Sequence, residues 1–97
     1  MAAYVVMIRD RMIDADAMAT YATLARKARR EGSPKPLAFY GEAQSLEGPK
    51  ADGVVIFEFP DMDAARDWYQ SPAYQDALPH RLRGADYRVL LVDGITA

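Results

Sequence analysis

The chain has no cysteine and a single histidine, His80, among its 97 residues. The first absence removes disulfides, thiolate nucleophiles and cysteine-ligated metals together. With one imidazole a zinc site lacks its usual ligands, and no Asp/Glu spacing resembles a calcium loop. His80 follows Pro79 with no supporting pattern, so haem iron has no support either. Neither metal nor cofactor is expected. Serine is scarce too: Ser33, Ser45 and Ser71 each sit where a turn or a helix cap takes a short hydroxyl, and no nucleophile-elbow motif surrounds them. No apolar run approaches the roughly 20 residues of a membrane helix. The start, MAAYVVMIRD, lacks the basic region and long apolar core of a signal peptide. Twelve basic residues against 14 acidic ones give a net charge of −2, which argues against nucleic acid or an anionic membrane as partner. A cytoplasmic protein is expected, without membrane or nucleic-acid partners.

What remains is 51% hydrophobic and 27% charged. That suffices for one domain over residues 1–97, able to bury roughly 60–65% of its unfolded surface. Tyr4–Arg9 is almost continuously apolar and rich in β-branched residues, the mark of a strand covered on both faces. Asp14 or Asp16 then caps a helix whose apolar stripe is Ala17, Met18, Tyr21, Leu24, Ala25 and Ala28, stopping at Gly32 before Ser33-Pro34. Its last turns carry Arg26, Lys27, Arg29 and Arg30. These cations complement the helix C-terminus, and a solvated face is favoured over a phosphate-binding patch.

Leu37–Glu42 reads as a second strand, with an irregular continuation towards Leu46. The turn from Gly48-Pro49 to Asp52-Gly53 folds the chain back into Val54–Phe59. Val55, Phe57 and Phe59 then point one way, and Val54, Ile56 and Glu58 the other. Asp61 caps a helix through Tyr69 that buries Ala65, Trp68 and Tyr69. Ser71-Pro72 starts another that buries Ala73, Tyr74, Ala77 and Leu78, and Pro79 is expected to bend or end it. Tyr87–Val92 is the last strand.

The order is β-α-β-β-α-β with the second helix broken: a ferredoxin-like α+β plait whose antiparallel sheet carries its helices on one face. Such a sheet should alternate apolar and polar residues, yet three of these strands are apolar on both faces. A second copy of the sheet is the economical cover. The expectation is a homodimer with sheets face to face, a dimeric α+β barrel. RNA recognition on the same plait is disfavoured, because Val54 and Ile56 stand where base-stacking rings belong.

The residues left for chemistry are Glu58, Trp68, Tyr69, Tyr74, His80 and Arg81. A carboxylate on an apolar strand is costly to bury without a partner. Glu58 is therefore either a base or ligand anchor in an aromatic-lined cleft, with Arg81 or His80 holding an acidic substrate, or one half of a structural pair with Arg81, Arg83 or Arg88; the pair is favoured. Trp68 and Tyr69 read first as core, while Tyr74 stands about evenly between core packing and the edge of a cleft.

The run VVIFEFPDMDAARDWYQSPAYQDALPHR resembles the domain of unknown function 1330 family. The matching motifs are Glu58-Phe59-Pro60, Ala65-Arg66-Asp67-Trp68-Tyr69, Ser71-Pro72-Ala73-Tyr74-Gln75 and the later Arg81. Leu46-Glu47-Gly48 and Leu91-Val92-Asp93-Gly94 extend the likeness over about residues 3–94. The resemblance implies a dimeric ferredoxin-like α+β barrel and no particular activity. Related barrels include cofactor-independent monooxygenases, isomerases, haem-handling enzymes and stress-response proteins. Many members carry Arg-Gly-Gly in the second strand where this chain has Phe39-Tyr40-Gly41, which implies a pocket more aromatic and less cationic, with Tyr40 on its wall. Two readings stand side by side. One is a homodimer binding a small organic molecule near Tyr40, Glu58, Trp68, Tyr69, Tyr74 and Arg81, any turnover being acid/base chemistry by Glu58, Tyr74 or His80. The other is a non-enzymatic structural or stress-response dimerisation module.

Overall fold

Strand β1 (Ala3–Met12) and strand β3 (Gly53–Phe59) pair antiparallel at the centre of the sheet, with Val5 opposite Phe57 and Val6 opposite Ile56. Strand β4 (Ala85–Asp93) flanks β1 and strand β2 (Lys35–Phe39) flanks β3, giving the order β2-β3-β1-β4. This computed structural model describes residues 1–32 and 34–95, so the turn or cap expected at Ser33 lies outside the described residues. The sheet is open, not closed, within one chain.

Helix α1 (Ala15–Gly32) buries Ala17, Met18, Tyr21, Ala25 and Ala28, the stripe its periodicity predicts, with Leu24 partly covered. Of the two expected caps, Asp14 serves: its carboxylate accepts from the backbone N–H of Asp16 at 3.0 Å and of Ala17 at 3.2 Å. Helix α2 (Met62–Gln70) starts at Asp61, whose carboxylate accepts from Ala64 N at 2.7 Å. Ser71 ends α2 and caps α3 (Pro72–Gly84) with the same side chain: its hydroxyl donates to Trp68 O at 2.7 Å and accepts from Tyr74 N at 3.2 Å.

Two expectations are corrected. Of the two outcomes expected at Pro79, the helix does not end there: α3 runs through it to Gly84. Pro79 lies on the exposed side, where water can take the carbonyl it leaves unpaired, while buried Ala77, Arg81 and Gly84 hold the other side. Strand β2 stops at Phe39, not Glu42, because Tyr40 turns into the left-handed region at φ 57°. Residues 40–52 then form a loop held by Ser45, whose hydroxyl donates to Pro49 O at 3.0 Å and accepts from Ala51 N at 3.1 Å.

The two faces of the sheet differ as the alternation requires. Ala3, Val5, Met7, Val55, Phe57 and Phe59 are buried beneath the helices with Trp68 and Tyr74. Tyr4, Val6, Ile8, Val54, Ile56 and Glu58 face the other way and are only half covered, and Leu90 and Val92 are 47% and 44% exposed. Among the described residues no helix is long and apolar enough to cross a membrane.

Candidate functional site

One line of α1 carries Ala15, Ala19 and Ala22, followed by Arg26 and Arg29. Alanine methyls are too short to reach the sheet, and a cleft of about 360 Å³ remains between this helix and the β2–β3 side of the sheet. Its floor is apolar, from Met7, Val55 and Phe57, and Phe39 and Tyr40 form one wall. Tyr21 and Met18 close the inner end, and Arg9, Arg26 and Arg29 supply all of its charge. Among the described residues no Asp or Glu lines it.

Arg9 shares strand parity with Val5 and Met7, so it points under the helices and not into solvent. Its Nε donates to Asp52 at 2.8 Å, its guanidinium stands 4.9 Å from the centre of the Tyr40 ring, and its side chain is 18% exposed. Burial opposes its charge, but the Tyr87 phenol and the Asp52 carboxylate outweigh burial and raise its pKa. Arg29 stacks 4.9 Å above Phe39, and burial lowers its pKa. Among the described residues neither Arg26 nor Arg29 has an ion-pair partner. The solvated face expected for the basic run holds for Arg26, Lys27 and Arg30, which are exposed, Arg26 at the rim of the cleft, whereas Arg29 is partly buried and lines the cleft over Phe39.

Tyr40 owes its place to its left-handed backbone. Its N–H donates to Val54 O at 2.9 Å, its ring lies over Gly53, and its hydroxyl meets that of Tyr87 at 2.5 Å. Tyr21 makes a similar pair at the inner end, with hydroxyls of Tyr21 and Tyr74 3.0 Å apart. Burial raises the pKa of all three phenols Tyr21, Tyr40 and Tyr74, so they stay protonated donors at neutral pH.

The structure does not gather the sequence-predicted residues into one cleft. Glu58 is half-buried on the open face, paired across the strands with Tyr4 and Lys35. Trp68, Tyr74 and Arg81 are buried on the opposite face. Strand alternation separates them, since Phe57 and Phe59 point at the helices and Glu58 between them cannot. Nor does Glu58 pair with the three arginines proposed for it. Arg88 grips Asp10 at 3.0 Å, Arg83 donates to His80 Nδ1 at 2.9 Å, and Arg81 lies 5.1 Å from the Tyr87 ring centre. Trp68 packs 4.6 Å from Tyr74 and donates from Nε1 to Ala28 O at 3.3 Å, a core role. Tyr69 stacks against Tyr74 at 5.1 Å. Of the expected ligand-binding residues only Tyr40 lines the cleft.

As site residues Arg9 and Tyr21 escape the sequence reading, which weighs Arg26 and Arg29 only as a disfavoured phosphate-binding patch and names Phe39 only beside Tyr40. Two signals pointed to them: an arginine of inward parity ending an apolar strand, and an alanine line on α1 that cannot fill the space before it.

The element order, the β2-β3-β1-β4 sheet and helices on one face define a ferredoxin-like α+β protein. The sequence model of the domain of unknown function family DUF1330 matches residues 2–95, and the chain belongs to that family. Solved structures share the fold. A protein of unknown function from Rhodopseudomonas palustris superposes with a TM-score of 0.74 at 21% identity, over 99% of this chain and 84% of its own. A dimeric ferredoxin-like protein of unknown function from Thermobifida fusca gives 0.64 at 14%, over 96% and 91%. SnoaB, a cofactor-independent oxygenase from Streptomyces nogalater, gives 0.59 at 14%, over 99% and 94%. A comparison with curated proteins finds no match.

Proposed function

We propose that this protein is a homodimer that binds a small organic molecule in the cleft between α1 and the sheet. The observation that carries the reading is the cleft itself, about 360 Å³ of apolar and aromatic surface crossed by three arginines, within the usual size of small-molecule sites. Its volume stays open because Ala15, Ala19 and Ala22, exposed on the helix side, carry only methyl groups where longer side chains would project into the cleft. The fold relatives give support of a looser kind, since one is named as a cofactor-independent oxygenase and another as an antibiotic biosynthesis monooxygenase. Any acid/base step in this cleft falls to Tyr21 and Tyr40, which line it, and not to Glu58 on the far face.

The dimer part of the reading rests on the open face. Val6 stands between Ile56 and Leu90, and Ile8 lies beside Val54. An apolar face of this kind calls for cover, and two fold relatives are described as dimeric.

A thermal-shift screen of a metabolite library tests the cleft. Compounds that raise the melting temperature of the native protein should lose that effect in Ala22→Trp, whose indole fills the space. The reading fails if nothing in the library stabilises the protein, or if the hits act equally on the filled variant.

A further inference from the structure

The cleft has a neighbour. On the other side of Phe39 lies a second cavity, of about 420 Å³, whose outer wall is Arg30, Pro34 and Pro36. Four residues line both spaces: Arg26, Arg29, Phe39 and Phe57. Three of these form one stack. The Arg29 guanidinium stands 4.9 Å from the centre of the Phe39 ring, and that ring lies 6.2 Å from Phe57 at an interplanar angle of 27°. The stack is the partition between the two cavities.

Phe39 reaches this position through an irregularity of β2. Pro36 stands opposite Phe57 but Ala38 stands opposite Ile56, so the register slips by one residue at Leu37. Without that bulge Phe39 would stand opposite Val54 and point to the open face with it. With it Phe39 stands opposite Val55 and turns beneath α1. Stacking holds the ring there, since it also meets Tyr40 edge-on at 4.9 Å, while 49% of the residue stays exposed. The partition decides how much space a ligand can use. The cleft alone, about 360 Å³, is near the lower end of the roughly 300–1,000 Å³ of small-molecule sites, whereas the two cavities joined would offer roughly double.

We infer that the ligand of this cleft is a compact aromatic compound of about two fused rings, and that Phe39 is the specificity-determining residue that sets this limit. Tyr21, Phe39, Tyr40 and Phe57 supply the ring faces and edges against which an aromatic body packs best. The inference rests on the cleft being a ligand site and adds the size and kind of molecule that site takes.

Calorimetry with 2-naphthol and 6-phenyl-2-naphthol tests it, both compounds being uncharged at neutral pH. The native protein should bind 2-naphthol, and the added phenyl group should bring no gain, because the stack keeps it out of the outer cavity. Phe39→Ala opens the partition. The phenyl compound should then bind roughly tenfold more tightly than 2-naphthol, a common gain for a group that enters an apolar pocket. Phe39→Leu keeps bulk at the position and should behave as the native protein does. If Phe39→Ala does not fold, Phe39→Val opens part of the same space and should raise the ratio in the same direction. A ratio of the two affinities that is the same in the native and opened proteins, or a native preference for the phenyl compound, overturns the inference. The cleft reading stands in that case if Ala22→Trp still abolishes binding of both. Binding of neither compound to the native protein overturns the inference too, and the cleft reading falls with it only if the metabolite library is also silent.

Discussion

The ring of Tyr40 rests on the bare backbone of Gly53: a Cβ at position 53 would sit 2.8 Å from Tyr40 Cδ1 and 3.3 Å from an Arg9 guanidinium nitrogen. Tyr40 reaches this position only through a φ of 57°, which a residue with a side chain adopts at a cost of about 1–2 kcal/mol. The strain and the glycine serve one outcome, a phenol placed between Arg9 and Tyr87 on the cleft wall.

Gly53→Ala should therefore destabilise the protein by about 1–2 kcal/mol, the ordinary cost of overpacking a fitted contact. In the double variant with Tyr40→Gly the added methyl meets no ring and the left-handed backbone is relaxed, so much of that cost should vanish. Urea unfolding of the four members of the cycle measures the coupling. Additive effects would mean that Tyr40 and Gly53 do not constrain each other.

Glu58→Gln should change the stability of the protomer little, within about 0.5 kcal/mol, because the residue is only partly buried on the open face and has no ion pair among the described residues. Chemical denaturation below the dimer dissociation range checks this. A loss of several kcal/mol would restore a structural ion pair that the geometry does not contain.

Alkaline pH should unfold the protein cooperatively. Tyr21, Tyr40 and Tyr74 have pKa values raised above the ordinary value of 10.0, chiefly by burial. Their folded forms hold protons that the unfolded chain releases, so the stability they contribute is intact below about pH 10 and declines above it, by about 1.4 kcal/mol per pH unit for each phenol. Tyrosinate absorbance followed together with far-ultraviolet circular dichroism should show a group of phenols ionising only as the fold is lost. Full ionisation of all tyrosines with the fold intact would contradict the buried phenol pairs.

Leu90→Glu should leave the protomer folded and break the dimer. Leu90 is 47% exposed in a single chain, so the charge meets water there, but it pairs with Val6 near the middle of the apolar face. Light scattering at micromolar concentration should give a dimer for the native protein and a monomer for the variant. A native monomer, or a variant that remains dimeric, rules out pairing through this face.

Much of the fold was legible before the structure because each signal was local. Asp61 and Ser71-Pro72 mark helix starts through a short side chain that answers nearby N–H groups. Alternation along β3 separates Phe57 from Glu58 whatever the rest of the chain does. Pro79 and Tyr40 were harder. The first is tolerated because α3 is held by its buried side, and the second takes a conformation that glycine is expected to fill.

The site was far less legible. A line of alanines looks like ordinary helix until the facing sheet shows the space they leave open. Glu58 drew attention as a carboxylate on an apolar strand, but its parity, already readable, turns it away from Tyr74 and Arg81. The sequence by itself determined the order of elements, the caps, the break at Ser71 and which residues share a face, since these depend on neighbours within a few positions. Only the tertiary structure decided that Tyr21 meets Tyr74, 53 positions away, and that Tyr40 meets Tyr87, 47 positions away. Those meetings depend on strand register and on where α1 and α3 settle, as does the gathering of two tyrosines and three arginines around one cleft.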